Sequence, residues 1–389
     1  MAIRYSIVAT CLLCLALPAR GADTIQQALQ VIGQAGSEGR GSTAASQAAE
    51  QLLQHGIEIL PQLFEHMDTD NLVSANWCRY VYQQIISREL AKPAPQIPVK
   101  FLRTYILDSK HQGRTRRLAW DLLDHVDAQF RQQQLPRLLD DREFREEAVQ
   151  RVLQRADKAR QDGHATDAVK QYQLAFQHAR QSSQIIRAAD QLAGLKVDVN
   201  IIEQMGFLNR WYLLGPFDAP EFSGFSKRFP PEIRVNLAAT YPGQDATIGW
   251  KTHQAPDRLG QTNLVQAIAP VKEAVGYAYT EVHSPVDQEV QLRCGGDDNM
   301  TVWVNDRQVF ARDQWLNGTR LDRFSASCVL QKGINRILVK ICQGPQHKNP
   351  AVPNNWSFQI RFCDATGLNV GLTILKPTAA EIAAGKQNK

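Results

Sequence analysis

Two neighbouring carboxylates are the residues of this chain most able to do chemistry. Asp297 and Asp298 stand in RCGGDDNMTVWVND, residues 293–306, after a glycine pair and before a short alternating apolar run. Such a pair can be a catalytic dyad, a metal site or a turn. Glycine, aspartate and asparagine are turn-forming residues, and Asp and Asn side chains bond their own backbone to hold a bend. The residue types therefore favour a turn.

Catalysis is the least favoured of these interpretations. In extended chain the two adjacent acids point to opposite sides, whereas glycosidase carboxylates flank a bond at about 5–9 Å and usually come from separate strands. The sequence contains no GxSxG elbow, HExxH helix or Cys–His signature. We expect a non-enzymatic protein, and an enzyme with a site between the two halves is the last alternative.

The elements around the acid pair are predicted to be short strands. From residue 211 onward, Gly and Pro punctuate runs rich in Val, Tyr, Trp, Phe and Thr, which is typical of a β-sandwich. Asn305 and Asp306 can form a two-residue hairpin corner. The predicted strands are 211–215, 276–283, 288–294, 300–304, 307–311, 323–330, 334–342 and 356–363.

The part before residue 205 has a helical pattern with an internal repeat. Leu60-Pro61, Ile97-Pro98 and Leu135-Pro136 follow one another at about 37-residue intervals. Each pair precedes an apolar helix, an acidic turn and a second helix, where Pro suits a helix start and Asp a helix cap. This pattern resembles HEAT repeats, and residues 149–180 resemble one tetratricopeptide-type helical pair. The resemblance implies a helical solenoid whose surface binds a protein partner.

The second half resembles the galactose-binding-like and PA14-like β-sandwich modules of secreted bacterial proteins. The matching segments are WYLLGPF at 211–217, the run 278–310 around the acid pair, VLQKGINRILVKI at 329–341 and WSFQIRF at 356–362. The resemblance implies a jelly-roll fold and, in many relatives, a carbohydrate-binding or enzyme-accessory role. The fold alone does not identify a ligand.

Within such modules, an Asp-Asp pair before a strand can hold Ca²⁺ that grips sugar hydroxyls. Calcium prefers six to eight oxygens, so backbone, water or asparagine oxygens must join the two carboxylates. Trp315 lies in a polar loop and is the aromatic residue we expect to be exposed, whereas Trp303 and Trp356 fall in strands and suit core packing. The predicted carbohydrate-binding residues are Asp297, Asp298, Asn299, Trp315 and Asn317, and the predicted calcium ligands are Asp297 and Asp298.

The two ends of the chain and its charge bear on location. Residues 1–22 have a basic start, an apolar stretch and small residues near a cleavage point, which predicts a signal peptide and export to the periplasm or outside the cell. Residues 376–389 are predicted to be a tail. The net charge of +5 is mixed along the sequence and does not favour nucleic acid, and no later stretch is apolar enough to span a membrane.

The sequence thus predicts a multidomain α and β protein. An α-helical HEAT/TPR-like solenoid at 23–205 precedes an antiparallel β-sandwich at 207–375. The favoured function is a secreted binding protein, with a protein partner on the helices and carbohydrate or cell-envelope polysaccharide on the sandwich. The alternative is an accessory or structural subunit of an exported polysaccharide-processing or envelope complex that binds no sugar itself.

Overall fold

The computed structural model describes residues 20–313, 315, 318–349, 351 and 353–375. Most of the predicted signal peptide and all of the predicted tail lie outside these residues. Helices occupy the first half and antiparallel strands the second, which confirms the predicted fold class. The helices are α1 (Arg20–Gly33), α2 (Ser42–Leu52), α3 (Leu60–Met67), α4 (Leu72–Leu90), α5 (Val99–Leu107), α6 (Gly113–Asp124), α7 (Ala128–Gln134), α8 (Arg145–Gln161), α9 (Ala165–His178), α10 (Ser182–Gly194), α11 (Ile201–Met205) and α12 (Leu264–Ala267).

The acidic turns of the helical part have more varied roles than the predicted helix caps. Asn71, not an aspartate, caps α4, and its Oδ1 accepts from Val73 N and Ser74 N at 3.2 and 3.3 Å. Asp68 reaches the next helical pair instead, where its Oδ1 accepts from Gln112 N at 2.8 Å just before α6. At this turn an asparagine therefore caps the start of a helix, and an aspartate joins neighbouring helical pairs.

All eight predicted strands are confirmed, with ends that differ by at most three residues. The sequence pattern missed five strands of two to four residues, because so short a run shows no alternation. The strands are β1 (Arg210–Asp218), β2 (Thr240–Pro242), β3 (Thr247–Gly249), β4 (Lys251–Gln254), β5 (Thr262–Asn263), β6 (Ala274–Ser284), β7 (Gln288–Gly296), β8 (Met300–Val304), β9 (Arg307–Arg312), β10 (Phe324–Leu330), β11 (Gly333–Gln343), β12 (Ser357–Cys363) and β13 (Thr373–Ile374).

Two sheets form the sandwich. The larger has the order β4-β1-β6-β11-β8-β9, with β13 added beside β6, and the smaller has the order β10-β7-β12-β5. Their facing sides are apolar, with buried residues such as Leu292 and Phe358 from one sheet and Val302 and Val339 from the other. Asn305 and Asp306 have φ of 50° and 65° and form the predicted hairpin corner between β8 and β9. Burial between two sheets explains the alternation seen in the sequence.

The described cysteines are all packed inside the protein. The five residues Cys78, Cys294, Cys328, Cys342 and Cys363 are buried and unbonded to one another. Burial raises the pKa of the Cys294 and Cys342 thiols to about 12. These residues are thus small buried side chains of the core. Within the described part of the chain, no helix has the length and apolar character needed to cross a membrane.

The chain divides into two compact units that do not follow the change from helix to strand. One unit ends at Ala148 and the other begins at Val149, so α9 to α11 belong with the sandwich. Arg361 on β12 shows why. Its Nε and Nη2 donate to the two carboxylate oxygens of Asp322 at 2.8 and 2.7 Å, and its Nη1 donates to Met205 O at the end of α11. Asp322 in turn accepts from Ser182 Oγ at the start of α10, at 2.7 Å.

We expect the Arg361–Asp322 pair to be far more important for stability than an exposed pair of the same kind. Arg361 is fully buried, and Asp322→Asn leaves its charge unpaired, so we expect a loss of about 3 kcal/mol in the free energy of unfolding. The matched control is Asp306→Asn, because Asp306 also has a positive φ and also pairs with an arginine, but both side chains of that pair are exposed. The Asp306→Asn substitution should lower the free energy of unfolding by no more than about 0.5 kcal/mol. Urea unfolding of both variants measures the difference.

The same experiment has a predicted pH dependence. Burial raises the pKa of Asp322, but the hydrogen bonds and charge of Arg361 outweigh it, and the resulting pKa lies below the ordinary value. An acid with a lowered pKa stabilises the fold above its unfolded-state pKa and loses this effect as the pH falls through its folded-state pKa. The deficit of Asp322→Asn should therefore be full at neutral pH and shrink below about pH 4. Equal losses at all pH values would contradict this account.

Candidate functional site

The acid pair lies where the chain crosses from one sheet to the other. Residues 297–299 connect β7, which pairs with β10 and β12, to β8, which pairs with β11 and β9. The two strands beside the turn therefore do not pair with each other. We call residues 297–299 and the loops that contact them the inter-sheet corner. Those loops are 313–319, after β9, and 344–356, after β11, as far as they are described.

Each acid of the pair binds a different one of these loops. Asp297 Oδ1 accepts a hydrogen bond from Gly318 N, and Asp298 Oδ2 accepts one from Gly344 N at 2.9 Å. The backbone of Asp297 also donates to Ser357 O at 3.0 Å, at the start of β12. Carboxylates that accept from backbone N–H groups form strong, charge-assisted bonds. The pair consequently holds two loops at the same end of the sandwich.

Asn299 is the most deeply buried polar residue of the corner. Its Nδ2 donates to Asp313 Oδ1 at 2.6 Å, and its backbone oxygen accepts from Cys342 N at 2.9 Å. Its Oδ1 has no hydrogen-bond partner among the described residues. A buried amide oxygen without a partner costs free energy, of the order of 1–3 kcal/mol. The corner thus contains one unsatisfied acceptor next to two carboxylates.

Trp315 meets a second aromatic residue at this corner. Its ring centroid lies 4.5 Å from that of Phe222, at an interplanar angle of 72°. Trp315 is half-buried and Phe222 is 49% exposed. Gly344 makes room for the indole, because a Cβ at that position would lie 2.9 Å from Trp315 Cε3. The same glycine therefore contacts both the aromatic ring and, through its N–H, Asp298.

The loop that carries Phe222 is anchored by a buried lysine. Lys340 on β11 is 2% exposed, and its Nζ donates to Phe225 O at 3.1 Å, Lys227 O at 2.7 Å and Glu232 Oε1 at 2.9 Å. Three acceptors match the three donors of an ammonium group. The charge is thus fully hydrogen-bonded, which fixes the segment after Phe222 against the larger sheet.

The structure brings together four of the five predicted site residues. Asp297, Asp298, Asn299 and Trp315 meet at the inter-sheet corner, and Asn317 lies outside the described residues. Phe222 was missed, because nothing in the spacing of its loop distinguishes it. Tyr279 is 4% exposed, and Trp356 is fully buried. Trp356 is thus a core residue, as predicted, and neither ring is open to a ligand.

Burial changes the acid–base behaviour of Asp297. Burial raises the pKa of this carboxyl to about 6, the bond from Gly318 N opposes the rise, and the charge of Asp298 adds to it. Asp297 therefore carries its full charge only above that pH. An ionised carboxylate here would be stabilised by a ligand that donates hydrogen bonds or carries positive charge.

The calcium hypothesis has limited support in this donor set. Two carboxylates meet at the corner, but each already accepts a backbone N–H. The described residues include no group of three or more His, Cys, Asp or Glu side chains placed to hold a metal ion. Six to eight oxygens are needed for Ca²⁺, and the described side chains do not supply them. The prediction of Asp297 and Asp298 as calcium ligands stays untested, and the donor set of the described side chains favours a corner that works without a metal.

Comparison with known proteins gives distant likenesses. No protein-family model and no curated protein matches this chain. A family 35 carbohydrate-binding module from an environmental isolate is similar over 26% of this chain and 71% of its own, with 15% identity and a TM-score of 0.19. A GH2 beta-galacturonidase from Eisenbergiella tayi is similar over 40% of this chain, with 7% identity and a TM-score of 0.23.

A beta-glucuronidase from Ruminococcus gnavus is similar over 41% of this chain, with 15% identity and a TM-score of 0.24. The similar regions amount to 25% of the galacturonidase and 29% of the glucuronidase. At such TM-scores the likenesses carry no argument about ligand or activity. The functional argument must come from the corner itself.

We expect Asp297→Asn to stabilise the protein in a pH-dependent way. A folded-state pKa raised above the unfolded value means that stability is lost as the pH rises from about 4 to about 6. Asparagine keeps an acceptor for Gly318 N but carries no charge. The variant should gain about 1–3 kcal/mol over the wild type near neutral pH and little near pH 4. Chemical unfolding at both pH values tests this, and a variant that is equally destabilised at both would refute it.

Proposed function

We propose that this chain is an exported, non-catalytic binding protein whose sandwich holds carbohydrate at the inter-sheet corner. In this proposal the helical part, with its HEAT-like pattern, contacts a protein partner. The observation that carries the sugar proposal is the meeting of the Trp315–Phe222 aromatic pair with Asp297 and Asp298 at one end of the sandwich.

The chemistry of the corner suits a sugar. A pyranose ring presents an apolar face of C–H groups, which an aromatic side chain can cover, and a rim of hydroxyl donors. Carboxylates accept hydrogen bonds and have about four lone-pair sites, so they can accept from hydroxyl groups as well as from backbone N–H groups. A few placed polar groups beside an apolar surface are what small-ligand sites generally contain.

The same geometry argues against hydrolysis at this corner. The two acids are adjacent in sequence, and each is bonded to a backbone N–H of a different loop. A glycosidase needs two carboxyl groups on either side of the scissile bond, one of them free to donate a proton. We therefore place the corner among binding sites, with the chain as partner of an enzyme or of the cell envelope.

The alternative function is that of an accessory or structural subunit that binds no sugar. One observation favours it: both acids hold loops, so the corner has a sufficient structural explanation. The two functions differ in what they predict for Trp315. Sugar binding requires its ring to be accessible, whereas the hydrogen bonds by which the acids hold the two loops do not.

Polysaccharide retention by the full chain separates the two functions. We expect retention on at least one member of a panel of plant, microbial and cell-envelope polysaccharides. Trp315→Ala should weaken it about fivefold, as expected for loss of one aromatic contact. Gly344→Ala should weaken it as well, because the new methyl group displaces the indole. Tyr80→Ala, which removes an exposed aromatic from a helix, is the matched control and should have no effect. No retention by the wild type would favour the structural alternative.

Metal dependence is a separate prediction. Because the described side chains provide too few oxygens for Ca²⁺, we expect retention to be the same in EDTA and in added calcium. Asp298→Asn supplies the check, since it removes a carboxylate but keeps an acceptor for Gly344 N. Retention that requires calcium in the wild type, and fails in Asp298→Asn at every calcium concentration, would instead establish the metal site.

A further inference from the structure

A groove with unpaired positive charge lies on the first compact unit, between α4 and α6. It has a volume of about 240 Å³, and its walls carry three arginines, Arg79, Arg114 and Arg117. Met67, Ala75 and Leu118 form its apolar part. Every one of these residues precedes Ala148, so the groove belongs wholly to the first unit.

The three arginines differ in what they bind. Arg117 is neutralised, because its Nε donates to Glu143 Oε1 at 2.7 Å and its Nη1 to Glu147 Oε1 at 2.5 Å. Arg114 donates only to backbone carbonyls, those of Met67 at 3.4 Å and of Thr69. Arg79 is exposed and forms no ion pair among the described residues.

The acidic residue of the groove, Asp121, pairs with neither Arg79 nor Arg114. It lies 3.2 Å from Nη2 of Arg131, which also pairs with Asp124 at 2.6 Å. Two guanidinium groups, those of Arg79 and Arg114, are thus left without a carboxylate partner at one groove. Guanidinium groups bind carboxylates with matched geometry, so the groove is complementary to an acid.

The helix surface beside Arg79 is apolar. Leu72 is 60% exposed and Tyr80 is 44% exposed. At helical spacing, Leu72, Asn76, Arg79 and Tyr80 share one face of α4. An occupant of this groove must therefore match positive charge in the groove and apolar side chains along its rim.

We propose that this groove binds a segment of a partner protein in which an acidic residue stands next to an aliphatic one. The partner's carboxylate bridges Arg79 and Arg114, and its aliphatic neighbour packs against the apolar wall formed by Met67, Ala75 and Leu118. This inference rests on the proposed protein-binding role of the helical part and is independent of the sugar site.

Fluorescence anisotropy with the full chain tests it. The probe is a labelled peptide that repeats a Glu-Leu pair, and the matched probe has Gln in place of each Glu. The wild type should prefer the acidic peptide by about tenfold, as expected for a charge-assisted contact. Arg79→Gln should remove most of that preference while leaving the fold intact, because Arg79 has no ion pair to lose.

The matched control is Arg137→Gln. Arg137 is an exposed arginine of the same unit, outside the groove, so its replacement makes the same change in net charge. Its preference for the acidic peptide should be that of the wild type. If both variants lose this preference equally, the attraction is non-specific and the proposal is overturned. A wild type that binds both peptides equally would also overturn it.

A charge exchange adds a positive readout. Arg79→Glu should bind a Lys-Leu peptide better than the wild type does, and no change there would also count against the groove. If Arg79→Gln retains polysaccharide as the wild type does, the sugar proposal is independent of this groove. If a native partner binds the Arg79→Gln variant with full affinity, the protein-binding role of the helical part is kept. The groove is then excluded as the site of that binding.

Discussion

The buried guanidinium of Arg361 is the constraint on which the second unit depends. A charge removed from water is tolerated only when it is paired and its donors are used, and here the carboxylate of Asp322 and two backbone carbonyls, those of Met205 and Gly367, satisfy it. Those groups come from the loop before β10, the end of α11 and the loop after β12. The end of α11 and two loops of the sandwich thus share the hydrogen bonds of this one residue.

The inter-sheet corner also contains charged groups that are removed from water. They are carboxylates instead of a cation, and they accept hydrogen bonds from N–H groups of separate loops. The difference is that the corner is incompletely satisfied: Asn299 Oδ1 has no partner among the described residues, and burial holds the pKa of Asp297 at about 6. A corner optimised for stability alone would have paired these polar groups.

Features that depend on residues close together in sequence, such as strands and turns, could be predicted. Features that depend on contacts between distant residues could not. Alternation along β7, β11 and β12 reflects the packing of one face of each strand against the opposite sheet, so the strands and the sandwich were predictable. Burial of the second face of β12, which carries Gln359 and Arg361, was not predictable. The hairpin turn at Asn305-Asp306 was predictable from the turn-forming character of these two residues. Which strands share a sheet depends on long-range pairing, so the change of sheet at Asp297 was not visible, nor was the approach of Phe222 to Trp315. The attachment of α10 and α11 to the sandwich was not visible either, because it depends on contacts between residues far apart in sequence, Ser182 with Asp322 and Met205 with Arg361.

The position of the unit boundary at 148–149 has a consequence for how this protein could have been assembled in evolution. A recombination event that moved only the strands, from residue 207 onward, would leave Arg361 without the carbonyl of Met205 and Asp322 without the hydroxyl of Ser182. The piece of chain that can be inherited as a module therefore includes the helices from α9 to α11. Relatives that share this sandwich by descent are expected to carry those helices in front of it.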